Sequence, residues 1–225
     1  MSTTLYLLSA AALFAGHAVP SWPGVRPALI ARMGRTGFIT LHSLLSLVTL
    51  ALFVHAYRTA EVYGHVFFPA DGAAMAAVVL MPVAVFLVVA RLMRPSGEPQ
   101  TPRPPAGIYR ITRHPGSMGL LLWALLHLQA TGDLRRVILF ATMAAIALFA
   151  IVKNDWVLRH AGTPEAGTFR TRTSVIPFAA ILSGRQRPVV SEIGVTPFLA
   201  ALTAYAALLL AHPRVFGVDP LYWLP

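Results

Sequence analysis

The sequence predicts an all-α integral membrane protein, a bundle of about six transmembrane helices that forms a single domain over residues 1–225. Two observations carry this prediction. The chain is 56% hydrophobic and only 12% charged, and its apolar residues fall in long blocks of the length that crosses a bilayer. The 18 lysines and arginines lie almost wholly between those blocks, which is typical of juxtamembrane charge.

Composition also limits the possible partners. The net charge of +10 would suit nucleic acid, but its placement between apolar blocks favours membrane topology instead, so we expect no nucleic-acid partner. The expected partners are the lipid bilayer and a lipophilic small molecule. The chain has no cysteine, which excludes disulfides, iron–sulfur clusters and thiolate ligation of haem. The eight histidines are therefore the candidate metal ligands.

The first three apolar blocks predict helices over residues 3–19, 37–57 and 73–92. No basic residue precedes the first block, which favours a retained helix over a signal peptide. Between the first two blocks stand three prolines, which we interpret as helix breakers: Pro20, Pro23 and Pro27.

The second half of the chain predicts three more helices, over residues 115–131, 134–157 and 196–211. Pro115 suits the first turn of a helix, and Gly132 breaks that helix before the next one. The connection over residues 91–113 contains PSGEPQTPRPP, which should be extended. Residues 158–188 form a basic polar connection, and the tail carries Tyr222 and Trp223, which favour a membrane interface.

The distribution of basic residues predicts the orientation. The first, third and fifth connections carry 3, 5 and 6 lysines and arginines, whereas the second, fourth and C-terminal ones carry 1, 2 and 1. Positively charged connections stay in the cytoplasm. Both termini should therefore lie outside.

Orientation sorts the histidines by depth. His42 and His55 on the second helix are 13 residues apart, as are His114 and His127 on the fourth, and 13 residues of helix span about 20 Å. We expect His42 and His114 in a cytoplasmic layer, together with His17 near the end of the inward-running first helix. His55 and His127 should lie in an outer layer.

His127 is the leading candidate for a functional residue, because an ionisable group inside an apolar run is costly. Haem or metal ligation is the interpretation that suits a neutral imidazole best. Hydrogen bonding across helices is the alternative for His17, His42 and His55. The remaining histidines are expected to be interfacial or solvated: His65, His160 and His212.

Arg113 and His114 stand where the fourth helix begins. A helix N-terminus with a fixed positive charge attracts anions, so these residues are predicted to bind an anionic or polar group, with headgroup contact as the alternative. Asp155 near the inner end of the fifth helix is expected either to pair with Lys153 or Arg159 or to position a substrate.

Four segments together resemble the NnrU family: GHAVPSWPGVRPAL (16–29), MGRTGFITLHSLLSL (33–47), ITRHPGSMGLLLWALLHLQATGDL (111–134) and TSVIPFAAILSGR (173–185). The family is tied by name to expression of nitrite and nitric oxide reductases in denitrifying bacteria. A relative is the zeta-carotene cis–trans isomerase of plants and cyanobacteria, a membrane protein with haem b. The resemblance implies a multi-pass protein of the bacterial inner membrane. It further implies haem b and a role in redox-linked cis–trans isomerisation or in support of denitrification.

Residue by residue, the resemblance places the isomerase's two haem ligands on His17 and His127. A third histidine falls near His55, and the histidine of the Arg-His-Pro turn falls on His114. The cysteine that exchanges with a ligand in the reduced isomerase falls on Ala124, so that exchange is not open to this chain.

The ligand pair implied by the resemblance disagrees with the depth argument, which separates His17 from His127 by about 15 Å. Two hypotheses remain. The first helix is displaced or broken near Gly16, or His127 takes its partner from the outer layer, where His55 lies.

A looser resemblance links the RHPGSMG run (113–119) to isoprenylcysteine and phospholipid methyltransferases. It implies S-adenosylmethionine binding at that turn, with Met118 in place of their tyrosine and Asp155 in place of an acidic pair. Methyl transfer is thus the alternative enzymatic hypothesis, and a non-enzymatic role in membrane assembly is the third.

Overall fold

The structure, a computed structural model, describes residues 2–94 and 105–222. Within these residues the chain is helical and has no strand, only one isolated antiparallel bridge between His65 and Asp133. The all-α prediction is confirmed. The predicted extended segment PSGEPQTPRPP and the interfacial Trp223 lie mainly or wholly outside the described residues.

Eight α-helices form in the described part of the chain. Two single 3₁₀ turns, Gly107–Arg110 and Val190–Glu192, accompany them. In order, the α-helices are α1 (Thr3–Ser21), α2 (Val25–Thr59), α3 (Ala73–Leu92), α4 (Pro115–Gln129), α5 (Leu134–Arg159), α6 (Pro164–Arg172), α7 (Ala179–Leu182) and α8 (Val195–Phe216).

Five of these helices are long and apolar enough to cross a membrane: α1, α2, α3, α5 and α8. The sixth predicted span, α4, has 15 residues and is therefore about 22 Å long. It is shorter than the hydrocarbon core of a bilayer. The chain is a multi-pass membrane protein in which α4 is the short member of the bundle.

The second helix begins 12 residues earlier than the predicted start at residue 37, at Val25. Interpreting Pro27 as a breaker was wrong, because it occupies the first turn of α2, where a proline costs no hydrogen bond. The helix is interrupted at Gly34, whose φ of 75° and ψ of 166° are non-helical and are readily adopted only without a side chain.

Part of the predicted polar connection over residues 158–188 is helical. Thr163 caps α6 by accepting a hydrogen bond from the Ala166 amide, with Pro164 at the first helical position and Glu165 in the first turn. These are standard helix-start signals. The sequence argument missed them because α6 is a short, mostly polar segment without an apolar face.

The last helix, α8, continues to Phe216 and not to residue 211 as predicted. Pro213 lies within its final turn, and the helix closes where the Gly217 amide donates to the Pro213 carbonyl. Gly217 has a φ of 70°, the left-handed conformation that ends many helices and favours glycine. His212 is consequently part of a regular helix.

The short helix α4 lies between α3 and α5 at the centre of the packing. Its approach to α3 is closest at Gly119, where an added Cβ would lie 2.7 Å from the Ala84 carbonyl oxygen and 2.8 Å from a Val88 methyl. Small residues allow such close packing of membrane helices. The helix α8 packs along α3, where the Tyr205 hydroxyl donates to the Val78 carbonyl at 2.8 Å.

Connections alternate between the two ends of the bundle. At one end the Val66 amide donates to the Gly132 carbonyl at 2.8 Å, which joins the α2–α3 and α4–α5 connections. At the other, the Arg113 amide donates to the Ser174 carbonyl at 2.8 Å, which joins the third and fifth connections. This is the grouping that the charge count used. We call the second end inner, following the predicted orientation, which stays a prediction.

Candidate functional site

The Arg-His-Pro turn lies in a cluster of polar groups at the inner end, which we call the inner polar cluster: Arg113, His114, Asp155, Arg159 and Thr173. Arg113 Nη1 donates to Asp155 Oδ1 at 2.8 Å, and its Nη2 donates to the Thr173 carbonyl at 2.7 Å. Arg159 Nε donates to Asp155 Oδ2 at 3.0 Å. Both oxygens of the carboxylate are thus bound by arginines of the same chain.

The inner polar cluster contains a buried ion pair between Arg113 and Asp155. The side chains of Arg113 and Asp155 are only 9% and 12% exposed, and a charge so buried needs a partner. Arg159 lies one helical turn after Asp155, at a favourable spacing for a pair. The predicted pairing of Asp155 with Arg159 is confirmed. Its second partner is Arg113 and not Lys153.

His114 is buried beside the ion pair. Its Nε2 lies 3.7 Å from Asp155 Oδ1 and has no hydrogen-bond partner among the described residues. Burial lowers the pKa of His114 to about 4, against the opposing influence of Asp155, so the imidazole is neutral at physiological pH. Arg113 is engaged with groups of its own chain. The predicted binding of an external group by Arg113 and His114 stays a prediction.

His17 and His42 form a second group, on α1 and α2. Their ring centres are 6.2 Å apart with planes at 72°, and His17 Nδ1 lies 3.0 Å from the Leu13 carbonyl oxygen. The depth argument placed these two histidines in the same layer, and the structure agrees.

His127 of α4 belongs to an aromatic group near the other end of the bundle. Its ring centre is 4.6 Å from that of Phe140 on α5 and 4.9 Å from that of Trp123. A second imidazole, that of His212 on α8, lies 6.4 Å from it with planes at 15°. We call His127 and His212 the outer histidine pair.

The hydrogen bonds of the outer histidine pair define the tautomers. His127 Nδ1 is 2.9 Å from the Trp123 carbonyl oxygen, and His212 Nδ1 is 2.8 Å from that of Val218. A carbonyl only accepts, so each Nδ1 carries the proton and each neutral ring keeps its lone pair on Nε2. Neither Nε2 has a hydrogen-bond partner among the described residues.

The structure does not bring His17 to His127. Phe149 of α5 contacts Phe14 and Trp22, which flank His17, whereas Phe140 contacts His127. Nine residues of helix separate Phe140 from Phe149, or about 14 Å along α5.

The helix positions bear on both hypotheses for the partner of His127. The helix α1 is unbroken from Thr3 to Ser21, so the hypothesis of a break near Gly16 is wrong. His55 is exposed on α2 in a shallow groove of about 430 Å³, and all the residues that line this groove belong to α2: Leu47, Leu50, Ala51, Val54, His55 and Arg58. The imidazole that lies beside His127 is that of His212.

The sequence argument missed His212, which was expected to be interfacial or solvated. The predicted last helix ended at residue 211, one residue before His212. The available signal was Gly217, which stands four residues after Pro213 and can close a helix that runs through it. His212 is half-buried and its ring contacts Phe216 at 4.8 Å between centres.

The donor set can be compared with the needs of a metal or haem. Among the described residues there is no group of three or more histidine, cysteine or acidic side chains that could hold a metal ion. A haem iron needs only one or two axial ligands from the protein. An imidazole with its Nδ1 proton on a carbonyl and its Nε2 free, set among aromatic rings, has the chemistry of such a ligand, so the residues at His127 fit a haem.

Long apolar helices that carry histidines define the class of this protein: a polytopic membrane protein with an all-α bundle. The model of the family described as "NnrU protein" matches residues 6–220. The chain therefore belongs to the NnrU family.

Two curated relatives share part of the chain. The "15-cis-zeta-carotene isomerase, chloroplastic" of Arabidopsis thaliana is 36% identical over 123 residues, which cover 52% of this chain and 33% of the relative. Its counterpart of the same description in Zea mays is 33% identical over 110 residues, covering 48% and 30%. The match thus spans about a third of each relative's length. No solved structure matches the chain.

Proposed function

We propose that this NnrU-family protein binds haem b through His127 and acts in redox-linked cis–trans isomerisation of a lipophilic substrate in the bacterial inner membrane. The observation that carries the proposal is the state of His127, with Nδ1 held by the Trp123 carbonyl and Nε2 free. The names of the two relatives support the reaction class.

The surroundings of His127 suit such a site. Trp123 and Phe140 contact the ring and each other, and these contacts keep the ring in one orientation within an apolar bundle. The haem would supply an iron that changes oxidation state next to the lipid phase. The chain would supply a neutral nitrogen ligand and a medium from which water is excluded, which tunes such an iron.

Position 124 distinguishes this chain from a protein that exchanges haem ligands. Ala124 is fully buried, and its methyl group offers no donor atom. The proposed haem would therefore keep the same ligands in the ferric and the ferrous states. A role in support of denitrification would use the same fixed ligation and remains within the proposal.

Methyl transfer at the Arg-His-Pro turn receives no support from the contacts there. A methyltransferase of this kind needs acidic oxygens free for the cofactor, whereas both oxygens of Asp155 are bound by Arg113 and Arg159.

An absorption spectrum of the purified protein titrated with hemin tests the haem proposal. We expect a saturable Soret band with low-spin features in both the oxidised and the dithionite-reduced protein, and loss of those features in His127→Ala. His160→Ala is the matched control, because His160 Nδ1 also bonds to the carbonyl of a tryptophan one turn earlier, Trp156, but is exposed. A low-spin spectrum that survives His127→Ala would refute the haem site.

The reaction class needs a separate test. Cells that accumulate 15-cis-zeta-carotene would be supplied with the wild-type protein or with His127→Ala, and the isomers separated by chromatography. We expect conversion with the wild type alone. Haem binding without conversion would restrict the proposal to redox support or membrane assembly.

A further inference from the structure

We infer that His212 of α8 is the second axial ligand of the haem held by His127, so that the ligand pair joins α4 to α8. This inference rests on the proposed function and assigns a residue that neither the sequence argument nor the relatives' names indicate. Distance, ring orientation and surroundings support it together.

The distance between the rings is that of two ligands on one iron. Imidazoles on opposite sides of a haem iron, each with a nitrogen about 2 Å from the metal, have ring centres about 6 Å apart. The centres of His127 and His212 are 6.4 Å apart and their planes are nearly parallel, at 15°. A distance of this size also occurs in ordinary aromatic contacts, so the assignment depends on the distance together with the protonation state and surroundings of the two rings.

Each ring is oriented by a hydrogen bond to a different backbone carbonyl. On α4 the acceptor is the Trp123 carbonyl, one turn before His127. On α8 it is the Val218 carbonyl, which the chain reaches by turning back after the left-handed Gly217. Both hydrogen bonds place the proton on Nδ1 and leave Nε2 for a metal. The fold thus prepares His212 in the same protonation state as His127.

The surroundings of the pair are aromatic and apolar, as a haem requires. Aromatic rings contact both members, with Phe140 of α5 against His127 and Phe216 of α8 against His212. The helix α8 packs along α3 and has few contacts with α4. Its other sides expose apolar residues such as Leu208 and Leu210. A macrocycle can therefore enter between α4 and α8 from the lipid phase.

Hemin titration of single variants tests the assignment. We expect His212→Ala to convert six-coordinate low-spin haem to a five-coordinate high-spin form, and added imidazole to restore the low-spin spectrum, because it can occupy the vacant position. His212→Asn keeps a donor for the Val218 carbonyl and should give the same high-spin form with the fold preserved. Three variants should remain low-spin: His17→Ala, His55→Ala and His160→Ala.

The outcomes separate this inference from the proposed function. High-spin haem in His17→Ala together with unchanged low-spin haem in His212→Ala would overturn the ligand pair and leave haem binding at His127 intact. Unchanged low-spin haem in both His212→Ala and His212→Asn would also overturn it. Failure of the wild-type protein to bind hemin would overturn the proposed function and the ligand pair together.

Discussion

The two ends of α4 carry histidines with different neighbours. At the inner end, His114 lies against the Arg113–Asp155 pair, whose charges neutralise one another within the chain. At the outer end, His127 faces a second imidazole. Neither Nε2 of that pair has a hydrogen-bond partner among the described residues, and the same holds for His114 Nε2, so the two ends differ in the neighbouring group: a compensated ion pair at one and a second imidazole at the other. A buried ion pair is retained when its members bind each other, whereas an imidazole with a free lone pair is prepared for an additional partner.

The residues that are most distinctive in the sequence are not the ones whose side chains are free to bind a ligand. The Arg-His-Pro turn is the most distinctive motif of the sequence, yet its arginine holds Asp155 and the carbonyls of the fifth connection. We interpret the inner polar cluster as a set of stabilising contacts between the start of α4 and the end of α5. Variants at four positions test the contrast between a structural inner cluster and a functional outer pair.

The largest effect is expected from Asp155→Leu. Removing the carboxylate leaves Arg113 buried without its counter-charge, which costs about 3–5 kcal/mol in typical buried pairs. Tryptophan fluorescence during thermal unfolding in detergent would measure the loss. Glu192→Gln is the control, since Glu192 pairs with Arg110 at 2.7 Å near the surface and its loss should cost much less. Equal loss in both variants would contradict a structural role for the inner polar cluster.

Lowering the pH should destabilise the inner polar cluster through protonation of His114. The folded-state pKa of about 4 lies below the ordinary value of 6.5, so the folded state binds the proton less well than the unfolded chain. The contribution of neutral His114 is complete above pH 6.5 and is lost as the pH falls towards 4, by at most about 3 kcal/mol. The difference between the melting temperatures at pH 7.5 and pH 5 should be smaller in His114→Gln than in the wild type. An unchanged acid response in that variant would contradict this assignment.

Packing between α3 and α4 should be sensitive at Gly119. A methyl group there would lie 2.7 Å from the Ala84 carbonyl oxygen, and such overpacking costs about 1–3 kcal/mol. Because α8 also packs on α3, displacement of α4 should weaken hemin binding in Gly119→Ala.

Gly116→Ala is the matched control on the same helix, because its added methyl group meets only the flexible side chain of Arg91. Helix propensity should stabilise this variant slightly. The same loss of stability at both positions would show that the Gly119 contact has no special role.

The smallest effect on stability is expected at the outer histidine pair. His127→Ala removes ring contacts with Trp123 and Phe140, which are worth about 1 kcal/mol, but it should remove the low-spin haem spectrum completely. A melting temperature measured without hemin would test the first part. A loss as large as that of Asp155→Leu would place His127 among the structural residues and remove the contrast between the two ends.

Much of the fold was predictable because its signals are local. Apolar blocks give the helices α1, α3 and α5 with boundaries close to those observed, since lipid requires each segment to satisfy its own backbone hydrogen bonds. The family could also be predicted, because its motifs cover the chain. The errors arose at Pro27, which was judged without its position in the turn, at the end of α8, and where Thr163 caps a short polar helix.

Part of the candidate site could likewise be predicted from the sequence, and part was visible only in the tertiary structure. The amino-acid sequence by itself determined that His127 is an ionisable group inside an apolar helix, and that no cysteine can share its ligation. Only the tertiary structure decided that Arg113 is occupied by Asp155, that His17 lies about 14 Å from the level of His127, and that His212, 85 residues further along, lies beside it. Such neighbours depend on which helices pack together and on how α8 ends, and helix packing brings together residues whose separation along the chain contains no information about their distance.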